Sequence, residues 1–255
     1  MNQSERRRYL IGRLLDEQKN SLNVSIPSDT SEQRKLLRSL MNIRMAGAVD
    51  EEFQRIQDEY LQQINMDKGI VGIDDMAEAQ PDIYIWRGDI TRLRVGAIVN
   101  AANSGMTGCY QPCHSCIDNC IHTYAGVQLR NYCNAMMVKQ GREEPAGQAK
   151  LTPAFNLPCD YVIHTVGPIV RGRLTDEHER LLKSCYSSCM NVADENAVKS
   201  IAFCCISTGV FGFPQDKAAE IAVQTVREFL KSHDIEVICN VFTEKDYKIY
   251  SRLFE

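Results

Sequence analysis

The apolar positions follow two regimes along the chain. Over roughly the first 75 residues they recur at helical spacing. Tyr9, Leu10, Leu14 and Leu15 make one apolar stripe. Pro27, Ser28 and Asp29 interrupt the chain. Behind Ser31, the residues Leu36, Leu37, Leu40 and Ile43 mark a second amphipathic helix that stops near Gly47. Asp50 stands where it can cap a third, with Phe53, Ile56, Tyr60, Leu61 and Ile64 along one face. None of these segments holds a Cys or His. They read as packing helices; a lid or a partner-docking role is the alternative.

Near Pro81 the pattern changes to short apolar runs alternating with amphipathic ones. Ile83–Trp86, Val95–Val99, Tyr161–Val166, Ile201–Ile206 and Ile235–Phe242 are predicted strands. Ile201–Ile206 is apolar throughout, as expected of a strand buried on both faces. Ile117–Met137, a run from Thr175 or Asp176 through Val192, Ala218–Phe229 and Glu244–Leu253 are predicted helices. Strands alternating with helices predict an α/β domain whose mainly parallel sheet is covered on both sides. The division expected is a helical N-terminal extension over residues 1–79 and the α/β domain over 80–255.

Composition narrows the function. Hydrophobic residues at 44% and charged residues at 24% are ordinary for a globular protein. A net charge of −4 argues against general affinity for nucleic acid, which needs a basic excess. No apolar run approaches the roughly 20 residues of a membrane span. The basic residues near Met1 have no apolar core behind them, so they are not a secretion signal. Eleven cysteines without such a signal read as reduced thiols, core side chains or metal ligands rather than a disulfide framework, and the expected location is the cytoplasm.

The densest chemistry lies in Asn100–Ala125. Cys109, Cys113, His114 and Cys116 crowd a loop broken by Gly105, Gly108 and Pro112. Soft donors this close together point to a transition metal, most often zinc. Adjacent Cys113 and His114 cannot easily both face one ion. The preferred set is therefore Cys109, His114 and Cys116 around one Zn2+, with an open fourth position and Cys113 as substitute. A structural zinc closed by Cys120 or His122 is the alternative. Asp118 and Asn119 follow within reach of whatever binds there; Asp118 can act as a base or orient water, or simply cap the helix. Asn100 and Asn103 lie just past a strand's C-terminal end, where open α/β sheets bind ligands. Their amides suit sugar hydroxyls, or loop backbone groups.

Two other strand exits carry candidates. In Ser207–Pro214, Gly209 and Gly212 would allow positive φ and close approach, and successive amides beside a helix start make an anion site. The loop lacks the Lys-Ser/Thr pair of a P-loop, so it reads as a diphosphate cradle or a plain tight turn. Asp89 can accept a hydrogen bond from a base amino group, or serve its turn. His122 and His164 are expected to be satisfied core histidines or supports behind the metal ligands. Cys133, Cys159, Cys185, Cys189, Cys204, Cys205 and Cys239 are expected core side chains.

Taken together, Gly88–Thr91, Ala97–Asn103, Ile117–Gly126, Gly147–Gly167 and Ser207–Pro214, in this order, resemble the macrodomain family of ADP-ribose-binding modules. The resemblance implies a three-layer α/β/α sandwich with a mixed central sheet. It implies that Asp89 holds the adenine amino group with Ile90 beside it. Ser207, Thr208, Gly209, Val210, Phe211 and Gly212 would cradle the diphosphate, and Asn100, Asn103 and Asp118 would surround the distal ribose, Asn103 and Asp118 being the catalytic pair. The commonest hydrolytic pattern has a short glycine run before the helix aspartate; here the longer Gly108–Cys116 stands in its place. That departure and the helical extension resemble zinc-containing bacterial or fungal macrodomains, often encoded with a protein-ADP-ribosylating sirtuin of class M. Members remove single ADP-ribose units from proteins, and a lipoyl carrier related to the glycine-cleavage H protein is the associated bacterial target. The implied function is zinc-dependent removal of mono-ADP-ribose from a protein side chain, a carboxylate ester being the favoured bond. Water activation, given elsewhere to the counterpart of Asp118, would here fall to zinc. The alternatives are a non-catalytic ADP-ribose reader with a structural zinc, and a structural zinc protein whose N-terminal helices dock a partner.

Overall fold

Each N-terminal helix begins at a polar side chain that satisfies its first amides. The computed structural model describes residues 1–18 and 24–255. Helix α1 (Gln3–Glu17) starts at Asn2, which exchanges side-chain and backbone bonds with Glu5. Helix α2 (Thr30–Ile43) is capped by Asp29, whose Oδ1 accepts from the amides of Ser31 at 2.8 Å and Glu32 at 2.9 Å. Helix α3 (Glu51–Asp67) is capped by Asp50, which accepts from Phe53 N–H at 2.8 Å. Their apolar faces meet in a small core of Leu10, Leu14, Leu37, Leu40, Phe53 and Ile56, joined by Val127 from beyond the helices.

The rest of the chain runs β1 (Glu78–Gln80), β2 (Ile83–Arg87), β3 (Ala97–Ala101), α4 (Ile117–Ala125), α5 (Val127–Gln140), β4 (Ala149–Pro153), β5 (Tyr161–Thr165), α6 (Asp176–Glu195), β6 (Ser200–Phe203), α7 (Gln215–Leu230), β7 (Glu236–Val241) and α8 (Glu244–Phe254). Among the described residues these strands form one 7-stranded sheet in the order β1-β2-β7-β6-β3-β5-β4. The inner strands β2, β7, β6, β3 and β5 are parallel, and the edges β1 and β4 are antiparallel. Helices α6, α7 and α8 cover one side; α4 and α5 cover the other and carry α2 and α3. The result is a three-layer α/β/α sandwich with a mixed sheet and an added helical unit. No described helix is long and apolar enough to cross a membrane.

The structure differs from the sequence pattern at several points. Both antiparallel edges went unpredicted: Glu78–Gln80 is short and polar, and Ala149–Pro153 ends in proline, so neither shows the signature of a buried strand. The single helix expected over Ile117–Met137 is two. Gly126 between them has φ 95°, and a Cβ there would lie 2.7 Å from the side chains of Gln57 and Gln128. Strand β6 stops at Phe203 rather than Ile206, because β3 pairs with it only at Ala97 and Ile98 and the chain then leaves the ladder.

One buried cation joins the two parts. Arg130 of α5 is 5% exposed. Its Nη1 donates to the carbonyls of Met41 at 3.0 Å, Asn42 at 2.8 Å and Arg44, and its Nε to Thr107 O at 2.8 Å. The carbonyls left open at the end of α2 are thereby satisfied by a side chain from the α/β domain. Arg130→Met should lower the unfolding free energy by about 3 kcal/mol, since it strands several buried acceptors at once. Urea unfolding measures this, and a loss below about 1 kcal/mol would show that the bonds are marginal.

Candidate active site

The candidate site lies at the C-terminal ends of the parallel strands, in the loops that follow β2, β3 and β6. Asn100 is the penultimate residue of β3, in register with His164 on β5. It is fully buried, and Asp118 in the first turn of α4 is nearly so. Asn100 Nδ2 donates to Asp118 Oδ1 at 2.8 Å, and Asn103 Nδ2 donates to Asp118 Oδ2 at 3.1 Å. Asn103 also closes its own turn by accepting from Gly105 N–H at 2.9 Å and donating to Gly108 O at 3.1 Å. Each carboxylate oxygen is thus gripped by one amide. Burial pushes the Asp118 carboxyl up to about 6, with Asn100, the Arg130 charge and Asn103 pulling the other way. Asp118 does not cap its helix. Cys116 does, its Sγ accepting from Asn119 N–H at 3.4 Å.

Cys109, His114 and Cys116 come together: their donor atoms all lie within 4.8 Å of one another, and Cys109 Sγ is 3.6 Å from His114 Nδ1. All three are half-buried. Two thiols and an imidazole in this arrangement fit a zinc ion with a free coordination position. Burial, with a further contribution from Cys109, pushes the Cys116 thiol up to about 12. A divalent cation among these donors reverses that preference, because it stabilises the thiolates. Cys113, the substitute ligand, is not part of the group. Its φ of 52° turns the side chain toward α2, where Sγ lies 3.2 Å from Ser39 Oγ and 3.4 Å from Lys35 O. Cys120 and His122, the alternative fourth ligands, also lie outside it: Cys120 Sγ is 3.5 Å from Arg38 Nη2.

His122 faces a second, fully buried group with Cys133 and His164. His164 is satisfied as expected, by Asn100 Nδ2 at 3.1 Å and Thr152 Oγ1 at 3.0 Å. His122 is not. Both its ring nitrogens lack a hydrogen-bond partner among the described residues, and Asp118 Oδ1 is 3.6 Å from its Nε2. Burial, then the neighbouring His164 and Arg130, holds it neutral. Gly108 packs on its ring: a Cβ at that glycine would lie 2.7 Å from His122 Cγ.

At the β2 exit, Asp89 Oδ1 caps the following turn, accepting from Thr91 N–H at 3.0 Å and Thr91 Oγ1 at 2.7 Å. Asp89 Oδ2 pairs with Lys68 Nζ at 3.2 Å, and that ammonium also sits 3.0 Å from the Tyr124 ring centroid. Burial alone would raise the Asp89 carboxyl, but the Lys68 charge and the Thr91 bonds bring it below its usual range. Lys68 follows α3 directly and was missed in the sequence, where a lysine before a helix-ending glycine carries no signal. Ile90 is buried beneath the turn.

At the β6 exit, Ser207 (φ 65°) and Gly212 (φ 71°) take the left-handed conformations, and Gly209 does not. The loop closes through Phe213 N–H to Ser207 O and Gly212 N–H to Gly209 O, both 3.0 Å. The amides of Gly209, Val210 and Phe211 donate to no protein acceptor among the described residues. Val210 is 79% exposed at the tip, and Thr208 Oγ1 bonds Cys205 O at 3.0 Å. Gly167 allows the β5 exit to approach: a Cβ there would stand 2.0 Å from Ser207 Oγ.

The fold is an α/β/α sandwich that carries its candidate site residues at three strand exits. The Macro domain profile matches residues 99–222. A protein-ADP-ribose hydrolase of Treponema medium is 58% identical to this chain over 99% of both. Among solved structures, an Oceanobacillus iheyensis macrodomain with ADP shares 38% identity and a TM-score of 0.61, over 67% of this chain and 88% of the other. A Trypanosoma brucei macrodomain in complex with ADP-ribose shares 29% identity and a TM-score of 0.67, over 86% of this chain and 95% of the other. This chain belongs to the Macro domain family.

The raised Asp118 carboxyl has a measurable consequence. The group sits at about 6 in the folded protein against an ordinary 3.8, so the folded state binds more protons between those values. Stability of the metal-free protein should therefore gain from this group as pH falls from neutrality through 6. Urea unfolding of chelator-treated protein and of Asp118→Ala at several pH values isolates the contribution. Identical pH slopes in the two proteins would contradict it.

Proposed function

We propose that this chain removes ADP-ribose from modified protein side chains, using one Zn2+ held by Cys109, His114 and Cys116. The observation that carries the proposal is the position of Asp118: a buried carboxylate, gripped on both oxygens by Asn100 and Asn103, directly after a group of three soft donors. The hydrolase relative that matches across 99% of both chains supports the same activity, and the chain is a hydrolase of that kind. In this reading the helical unit is an extension of the macrodomain, and because β1 (Glu78–Gln80) pairs with β2 the boundary falls before Glu78 rather than at the expected 79/80.

Asp89 and Ile90 would take the adenine, and the free amides of Gly209, Val210 and Phe211 would take the diphosphate, with Ser207, Thr208 and Gly212 shaping that loop. These contacts are alike in substrate and transition state, so they anchor rather than accelerate. Acceleration belongs to the distal ribose. Asp118 is largely ionised at neutral pH, and each oxygen keeps a lone pair for a ribose hydroxyl or a water. Asn103 holds that carboxylate and the Gly108 carbonyl together, fixing the floor on which the sugar rests. A zinc ion at the neighbouring thiols would polarise an oxygen of the ribose or its ester and lower the pKa of a bound water to about 7. Water is added across the bond, leaving free ADP-ribose and the unmodified side chain, a carboxylate in the favoured case. The proposed protein substrate is a lipoyl carrier related to the glycine-cleavage H protein, met in the cytoplasm.

The test is release of ADP-ribose from a mono-ADP-ribosylated protein by the chain as purified, stripped by chelator and restored with zinc, with circular dichroism reporting the fold. Loss on stripping and recovery with zinc is the expected result. Full turnover by the stripped, folded protein would remove zinc from the mechanism. Asp118→Ala should lower kcat by about 100-fold or more while ADP-ribose affinity changes by only a few-fold. Retained turnover in that variant would overturn the role given to Asp118. Binding without release, from glutamate-, aspartate-, serine- and arginine-linked substrates alike, would make the protein a reader.

A further inference from the structure

The polar face of α2 carries Lys35, Arg38, Ser39 and Asn42, spaced so that all lie on one side of the helix. In the structure it meets the cysteine loop at every one of those positions. Lys35 O and Ser39 Oγ touch Cys113 Sγ. Asn42 Oδ1 accepts from Cys113 N–H at 2.9 Å, and Asn42 Nδ2 donates to Thr123 Oγ1 on α4 at 3.0 Å. Arg38 reaches furthest. Its Nη2 donates to His114 O at 2.7 Å and to Asn119 Oδ1 at 2.9 Å, with Nε 3.3 Å from the same oxygen.

Asn119 continues the connection. It is fully buried, and its Nδ2 donates to Gln111 O at 2.9 Å and Cys109 O at 3.3 Å. Its backbone N–H donates to Cys116 Sγ at 3.4 Å. Arg38 and Asn119 together therefore touch each of the three candidate ligand residues: Cys109 and His114 at their carbonyls, Cys116 at its sulfur. Without Arg38, Asn119 Oδ1 is left with Thr123 Oγ1 at 3.5 Å. The guanidinium is suited to this place because its planar fork meets a carbonyl and an amide oxygen at once.

We infer that Arg38 is a positioning residue for the metal loop, through which the N-terminal helical unit holds Cys109, His114 and Cys116 in ligating shape before a cation arrives. The inference rests on the metal reading above. A loop ordered in advance does not lose its freedom when the ion binds, so removal of the brace lowers metal affinity directly.

The experiment compares zinc affinity of the full chain with Arg38→Met and Arg38→Lys, by competition against a chromogenic chelator. Co2+ absorption reports ligand geometry, and calorimetry with ADP-ribose reports the rest of the cleft. Arg38→Met should weaken zinc binding by about 10- to 100-fold, the range for residues that support metal ligands. Arg38→Lys, a point charge that reaches one acceptor, should fall between. ADP-ribose affinity should stay within about two-fold, because Asp89 and Ser207–Gly212 sit on other strand exits. Wild-type zinc affinity with an unaltered Co2+ spectrum in folded Arg38→Met overturns the inference. If that variant does not fold, wild-type affinity in Arg38→Lys does the same. Failure of the metal reading itself is distinct: the unmodified chain would then take up no zinc, or would take it up equally after Cys109→Ser.

Discussion

A carboxylate with almost no contact with water must be held by donors, and Asp118 is held by two asparagine amides that come from the end of β3 and the turn after it. Much of the architecture around the site follows from that requirement. Asn100 must lie at the strand exit, in register with His164, so that one amide bridges both. The chain must return from Asn103 to the start of α4, which sets the span in which the cysteine loop sits. Gly108 must lack a side chain because His122 fills the space one turn beyond Asp118. Helix α4 must then end at Gly126, where the backbone turns left-handed against Gln57 of the helical unit.

The helical unit is more than an appendage. It has its own apolar core, yet it meets the α/β domain largely through polar contacts. Arg130 takes the carbonyls at the end of α2, Arg38 and Asn42 brace the cysteine loop, and Lys68 pairs with Asp89. These contacts reach both ends of the cleft. Buried charge-assisted bonds of this kind are costly to break singly, because the partner is left unpaired. The helical unit therefore touches the metal loop through Arg38 and Asn42 and, separately, Asp89 through Lys68.

Local chemistry in the sequence went far. Capping residues, apolar periodicity and β-branched runs located the helices and the central parallel strands, because those signals arise within a few residues of where they act. The motif order across residues 80–255 pointed to the family that the comparisons identify. Soft donors in one short loop pointed to the group that comes together at Cys109, His114 and Cys116. Where the sequence reading went astray, a distant neighbour decided. Ser207 rather than Gly209 takes positive φ, since the turn is set by its closure onto Phe213 and the approach of Gly167. Cys113, which the preferred ligand set left out, faces α2, where Asn42 and Ser39 receive it.

The sequence by itself determined the element types, the α/β class, the family likeness and the residues able to do chemistry, because composition, period and spacing are properties of the chain. The tertiary structure alone decided the antiparallel edges β1 and β4, the burial of His122 with no hydrogen-bond partner among the described residues, the pairing of Lys68 with Asp89 and the reach of Arg38 to His114 and Asn119. Arg38 and Asn119 are 81 positions apart in the chain, and no local pattern marks either for the other. Their meeting depends on how the two cores dock, and docking is settled by side chains far apart in the chain that are neighbours only in the tertiary structure.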